Sequence, residues 1–175
     1  MMVEKIKKKR ERYASFSWWK SRAAAKLAWL RLKYTDPDRA MIVEEAALRL
    51  RTVRLSELTY FISFLWREQN VIPDLVELAP SPLEIDEWFR RDKFTGWKNK
   101  TLVKLIELKQ NYDNDPEAVE AVRKLFKRAA RARRKDIHGF IILARRLASK
   151  IPEAVELVPT PDQIEAWRAT ANLQP

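Results

Sequence analysis

The chain has no cysteine, a single histidine, His138, and only two glycines in 175 residues. Without cysteine, neither a disulfide framework nor a thiolate metal site can form. So few glycines exclude hairpin-rich and phosphate-loop architectures, because tight turns and Gly-rich loops need residues that tolerate positive φ. Helices are left. The sequence contains no run of about 18 apolar residues, and no hydrophobic region follows its basic N-terminal stretch, so neither a membrane span nor a signal peptide is expected. His138 stands beside Gly139 near the start of a predicted helix, where a surface or capping role fits better than general-base chemistry. There is no Walker-type loop and no metal-spaced His/Cys set. Helix capping explains the acidic groups Asp36/Asp38 and Asp113/Asp115/Glu117. The expectation is a protein that is not an enzyme, with no catalytic residue, no metal and no cofactor.

Against these absences, one feature dominates: the chain repeats itself. Shifted by 79 residues, IPDLVELAPSPLEIDEW (Ile72 to Trp88) lies over IPEAVELVPTPDQIEAW (Ile151 to Trp167) without a gap, with nine of seventeen positions identical. The same offset pairs Asp36-Pro37 with Asp115-Pro116, Val43 with Val122, Phe61-Ile62 with Phe140-Ile141 and Trp18 with Trp97. The predicted organisation is all-α: a basic N-terminal arm over 1–12, a helical repeat over 13–91 and a second over 92–175. The repeats are two tandem copies of a roughly five-helix module, together a covalent pseudo-dimer. A module of about 80 residues is near the size where stability becomes marginal.

Each repeat reads as five helical segments. The first spans Ser17 to Lys33, matched by Trp97 to Tyr112, both rich in good helix formers. Asp followed by Pro opens the second helix at Pro37 and Pro116. Its apolar face carries Ala40, Val43, Ala47 and Leu50, and Val119, Val122, Phe126 and Ala129 in the copy. The third runs from about Ser56 to Gln69 and from Asp136 to Ser149, burying Leu58, Phe61, Ile62 and Leu65, or Ile137, Phe140, Ile141 and Ala144. Pro73 and Pro152 interrupt the chain, and a short helical turn follows. Ser81 with Glu84, and Thr160 with Gln163, have capping-box spacing and open the last helix.

The formal charge is +11, from 35 Lys and Arg against 24 Asp and Glu, a balance that attracts polyanions. The arm supplies Lys5, Lys7, Lys8, Lys9, Arg10 and Arg12. It reads either as a basic arm or as a degenerate extra copy of the last helix, since Ile6 falls over Ile85. The second helix of repeat two and the residues just after it carry Arg123, Lys124, Lys127, Arg128, Arg131, Arg133, Arg134 and Lys135. Spacings of three, four and seven make a cationic stripe of most of these, opposite the apolar face and suited to a line of phosphates. Repeat one places Glu44 and Glu45 where repeat two has Arg123 and Lys124. Three basic pairs stay identical between the copies: Arg49/Arg128, Arg54/Arg133 and Arg67/Arg146. They are candidates for phosphate contact or, equally, for ion pairs with Glu77/Glu156. Of the seven tryptophans, Trp18/Trp97 and Trp88/Trp167 keep register with the core. Trp19, Trp29 and Trp66 lack an aromatic counterpart and suggest covered interfaces.

The KIKKKRER arm, the basic helix Arg123 to Lys135 and the pseudo-dimeric duplication together resemble the helical nucleocapsid and coat proteins of hyperthermophilic archaeal DNA viruses. That resemblance implies basic helical subunits that wrap a genome, and a location in a virion or in the cytoplasm or nucleoid of a prokaryotic host. The expected function is sequence-nonspecific binding and packaging of double-stranded DNA, with self-association into a regular array and no membrane partner. Two alternatives stay open: a sequence-specific helical regulator or recombinase-type domain, and a protein-protein adaptor built from the doubled module.

Overall fold

The computed structural model describes residues 2–3 and 15–171. The arm cations Lys5, Lys7, Lys8, Lys9, Arg10 and Arg12 lie outside the described residues. Among those described the chain is helical, with no strand. It divides into two compact units, Met1–Arg90 and Arg91–Pro175.

The first unit opens with α1, Phe16–Lys33, where the Ser15 hydroxyl accepts from the Trp18 amide. Asp36 caps α2, Pro37–Thr52, with Pro37 at a position whose missing amide leaves no bond unmade. The expected third helix is divided. A 3₁₀ turn, Leu55–Glu57, forms because the Glu57 carboxylate accepts from the Arg54 amide. Then α3, Leu58–Glu68, buries Leu58, Phe61, Ile62 and Leu65 as the periodicity predicts, and Phe64 besides. Pro73–Leu78 is a 3₁₀ segment. The Ser81/Glu84 capping box opens α4, Pro82–Trp88, each residue accepting the other's amide.

The second unit runs in the same order: α5 Lys93–Asn111, α6 Pro116–Arg131, a 3₁₀ turn Arg134–Asp136, α7 Ile137–Leu147, a 3₁₀ segment Pro152–Leu157, and α8 Pro161–Ala171. Helix α5 starts four residues before Trp97, because Asp92 caps it by accepting from the Thr95 amide and hydroxyl. The amides of Thr160 and Gln163 are satisfied by each other's side chains, as those of Ser81 and Glu84 are.

The internal contacts of the two units correspond, and they correct the sequence alignment at one place. Trp19, 1% exposed, donates its indole N–H to the Leu78 carbonyl at 2.9 Å; Trp97 donates to the Leu157 carbonyl at 3.1 Å. Around Trp19 stand Phe16, Phe61 and Trp88, with ring centroids 5.3, 5.5 and 5.5 Å away. Around Trp97 stand Phe94, Phe140 and Trp167, at 6.0, 5.2 and 5.4 Å. The counterpart of Trp97 is therefore Trp19, not Trp18, and Trp18 is 37% exposed. Over the first helix the offset is 78, and it becomes 79 from the Asp cap of the second. Tyr34 and Tyr112 mark the change. Their hydroxyls donate to Asp74 and Glu153, yet one residue separates Tyr34 from Asp36 and two separate Tyr112 from Asp115.

Trp19 thus has an aromatic counterpart and belongs to the core of its own unit. Trp66 is half-buried, and Trp29 is 56% exposed. In α2 the buried residues are Val43, Ala46 and Leu50, with Ala40 and Ala47 at the edge of that face. In α6 they are Ala118, Ala121, Val122, Leu125, Phe126 and Ala129, with Val119 at the edge.

Candidate nucleic-acid interface

The charge is divided unequally between the units. Residues 15–90 carry 11 Lys and Arg against 11 Asp and Glu, while residues 91–175 carry 18 against 11, an excess of seven positive charges. In the first unit the cations of α1 are tied down. Lys20 donates to the carbonyls of Arg51 and Val53, and Lys26 to that of Glu77. Arg22 pairs with Glu84 at 2.7 Å, Arg31 with Glu44 and Lys33 with Asp74. The Asp74 carboxyl titrates below its usual range because Lys33 and Tyr34 both donate to it, against the opposing effect of its burial.

In the second unit the arrangement is different. Because 3.6 residues complete a turn, Lys124, Lys127, Arg128 and Arg131 share one exposed face of α6. The facing side of α7 presents Gly139, Ile142, Leu143 and Arg146 at the same spacing. Between the two helices lies an open groove of about 730 Å³. Four α6 cations and Arg146 surround it, Ala132, Phe140, Ile142 and Leu143 form an apolar floor, and Asp136 and His138 stand at one end. None of the five cations forms an ion pair among the described residues, although Lys124 and Lys127 lie in the field of Glu120, which Arg123 holds. Ile142 is 66% exposed in their midst.

The reason is legible position by position in the first unit, where two of the three retained arginines, Arg49 and Arg67, are paired with carboxylates. Arg49 reaches Glu45 Oε1 at 3.0 Å and lies 4.7 Å from the Phe64 ring centroid. Arg67 contacts Glu68 at 2.9 Å, lies 4.0 Å from Glu45, and sits 5.5 Å from the same ring. Their counterparts Arg128 and Arg146 meet Lys124 in place of Glu45, Leu143 in place of Phe64 and Leu147 in place of Glu68. Every carboxylate and ring that holds the first pair has been exchanged for a cation or an aliphatic group.

The remaining sequence candidates separate. Arg123 is held by Glu120 through two bonds, at 2.8 and 2.6 Å, and the carboxylate raises the arginine's affinity for its proton. Arg133 pairs with Asp136 at 3.2 Å while remaining exposed. Arg134 turns away from the stripe: it lies on the Phe94 ring and donates to Asp92 Oδ1 at 3.2 Å. Burial raises the Asp92 carboxyl, but the hydrogen bonds from Thr95 and Arg134 outweigh it, and Asp92 titrates below the usual carboxylate range. Lys135 is exposed on the 3₁₀ turn, and Arg54 is exposed in the first unit. Neither Glu77 nor Glu156 pairs with any of the retained arginines among the described residues. Below the groove Lys98, whose own proton affinity is lowered by burial, donates to the Ala132 carbonyl and caps α6.

Sequence reasoning had not singled out the α7 wall of Gly139, Ile142 and Leu143. A signal for it existed: Ile142 interrupts a polar position that is Ser63 in the first repeat. His138 lines the groove and approaches Arg168, with 3.4 Å between Nε2 and Nη2. Among the described residues no cluster of three or more His, Asp or Glu is placed to hold a metal ion, and no helix is long and apolar enough to cross a membrane. No protein-family model, no curated protein and no solved structure matches the chain.

Proposed function

We propose that the protein is a non-enzymatic, sequence-nonspecific binder of double-stranded DNA that coats and packages a genome, in the manner of a nucleocapsid or chromatin protein. The observation that carries this reading is the set of five cations that form no ion pair among the described residues, Lys124, Lys127, Arg128, Arg131 and Arg146. They are gathered on one groove of a unit with seven excess positive charges. Like charges clustered on one face repel one another, a bound polyanion relieves that repulsion, and a row of cations at helical spacing suits a line of phosphates. No Asn or Gln lines the groove, and its lysines and arginines suit backbone phosphates, which carry no sequence information.

The two units are tandem copies of one module that have divided the work. The basic copy engages phosphate, and the neutral copy, with Trp29 and Leu32 56% and 80% exposed on α1, engages a neighbouring subunit in a regular array. The arm at residues 1–12 adds positive charge on the same polyanion. A virion or a prokaryotic nucleoid is the setting this chemistry fits.

Titration of a random duplex at two salt concentrations tests the reading. Five phosphates neutralised on B-DNA give a log–log slope near −4.5, so raising salt from about 50 to 200 mM should lower affinity on the order of five hundredfold. Affinity that ignores salt, or a strong preference for one sequence, would overturn it in favour of an adaptor or a regulator.

A further inference from the structure

Gly139 occupies a helical position without needing a glycine backbone conformation, since no glycine in the described chain has positive φ. Its value lies in the missing side chain. A β-carbon at position 139 would stand 2.6 Å from Arg128 Nη2, 3.1 Å from its Cζ and 3.2 Å from its Nε. The guanidinium of Arg128 therefore lies close against α7 at Gly139, with Nη2 nearest, inside the groove. In the first unit the same position is Tyr60, 72% exposed, and Arg49 is held instead by Glu45 and Phe64. Three exchanges, Glu45 to Lys124, Phe64 to Leu143 and Tyr60 to Gly139, act together on one retained arginine. The first two release it from its partners, and the third gives it a new resting place.

On the reading that the groove engages nucleic acid, we propose that it contains one discrete phosphodiester-binding position centred on Arg128, for which Gly139 is the positioning residue. A guanidinium presents a planar fork of donors matched to two phosphate oxygens, and it loses less entropy on binding when its orientation is already fixed. Against Gly139 the Arg128 guanidinium is restricted on one side while lining the groove, where an entering phosphate meets its donors. Lys124, Lys127 and Arg131 along α6, and Arg146 opposite, contribute general attraction to the flanking phosphates. The site thus couples one geometric contact to four coulombic ones. A purely coulombic surface would be indifferent to the shape of the cation at position 128.

Two substitutions that leave the formal charge unchanged separate these possibilities. Arg128→Lys keeps the charge and removes the fork. Gly139→Ala keeps Arg128 but displaces its guanidinium, because the three atoms nearest the new methyl all belong to the movable end of that side chain. Binding of a labelled random duplex is measured by fluorescence anisotropy, with thermal melting of each variant alongside. The expected result is about tenfold weaker binding for each variant, with the melting temperature of Gly139→Ala unchanged or raised, since alanine is the better helix former. In an Arg128→Ala background, Gly139→Ala should have no further effect, because the group it positions is gone. A wild type that binds duplex while Gly139→Ala binds equally well overturns the positioned site and leaves general attraction standing. Loss of binding by Gly139→Ala that persists in the Arg128→Ala background also overturns it. A wild type that binds no duplex at low salt removes the underlying reading itself.

Discussion

Trp19 and Trp97 each place one N–H on a buried carbonyl nearly sixty residues further along the chain, tying the first helix of a unit to its 3₁₀ segment. Replacing Trp19 by Phe removes the donor and leaves the Leu78 carbonyl unpaired in an apolar cluster. A loss on the order of 2–3 kcal/mol is expected from the orphaned acceptor and the lost ring volume. Trp18→Phe, at a partly exposed position, should change stability little. Chemical denaturation of the two variants compares them directly, and equal losses would show that the indole bond carries no weight. These adjacent tryptophans also show where sequence comparison stops. The 79-residue offset is correct for the Asp caps, the Phe-Ile pairs and the last helix, so it was carried into the first helix, where Trp18 gave an acceptable match. Two tryptophans in succession hide a one-residue difference in the loop after Tyr34, which the identities Phe16/Phe94, Lys20/Lys98 and Tyr34/Tyr112 at an offset of 78 also mark and the indole bonds bear out.

At the scale of helices, capping and periodicity in the sequence located each α-helix, because Asp-Pro and the capping-box pairs act over three or four residues. The 3₁₀ openings of the third helices were less legible, since they depend on carboxylates at Glu57 and Asp136 reaching back to an amide. Contacts across long separations were not legible at all. Arg134 reads as part of the cationic stripe, yet Asp92, 42 residues earlier, draws it onto the cap of α5. Asp92 therefore serves as cap and counter-ion together, and its carboxyl is held below the usual range. A depressed carboxylate contributes stability above its unfolded value, near 4, and that contribution is lost as pH falls through the folded value. Asp92→Asn keeps a capping oxygen but removes the charge. It should lower stability at neutral pH by about 0.5–1 kcal/mol, a modest effect because the pair is partly exposed and screened. Melting curves of wild type and variant should converge as pH falls below the usual carboxylate range and Asp92 takes up its proton; a gap that persists would assign the effect to lost packing. Arg128, Arg131 and Arg134 make a second contrast. Replacing Arg128 and Arg131 by Ala should weaken duplex binding for all sequences and lower the salt slope by about two. Arg134→Ala should chiefly reduce stability, and His138→Asn should leave binding unchanged.

Across the whole molecule, the sequence suggests two copies but not how differently the two units hold their charges. The acidic residues Glu44 and Glu45 are visible in the sequence, whereas the pairing of the α1 cations and of Arg49 and Arg67 with carboxylates and carbonyls of their own unit required the fold. The same comparison bears on assembly. On α1, Trp29 and Leu32 are exposed, and the corresponding positions on α5 are Glu107 and Gln110, polar and also exposed. The second unit carries polar residues at these two positions, so on the proposed assembly Trp29 and Leu32 are the face that a neighbouring subunit would cover. Giving the first unit the residues of the second, Trp29→Glu with Leu32→Gln, should therefore leave the fold, the intrinsic affinity for a short duplex and the salt slope close to wild type. On long DNA the wild type should bind cooperatively, as evenly spaced filaments or coiled particles under electron microscopy, while the double variant should scatter as isolated subunits. Regular arrays formed equally well by the double variant would separate assembly from this face of α1.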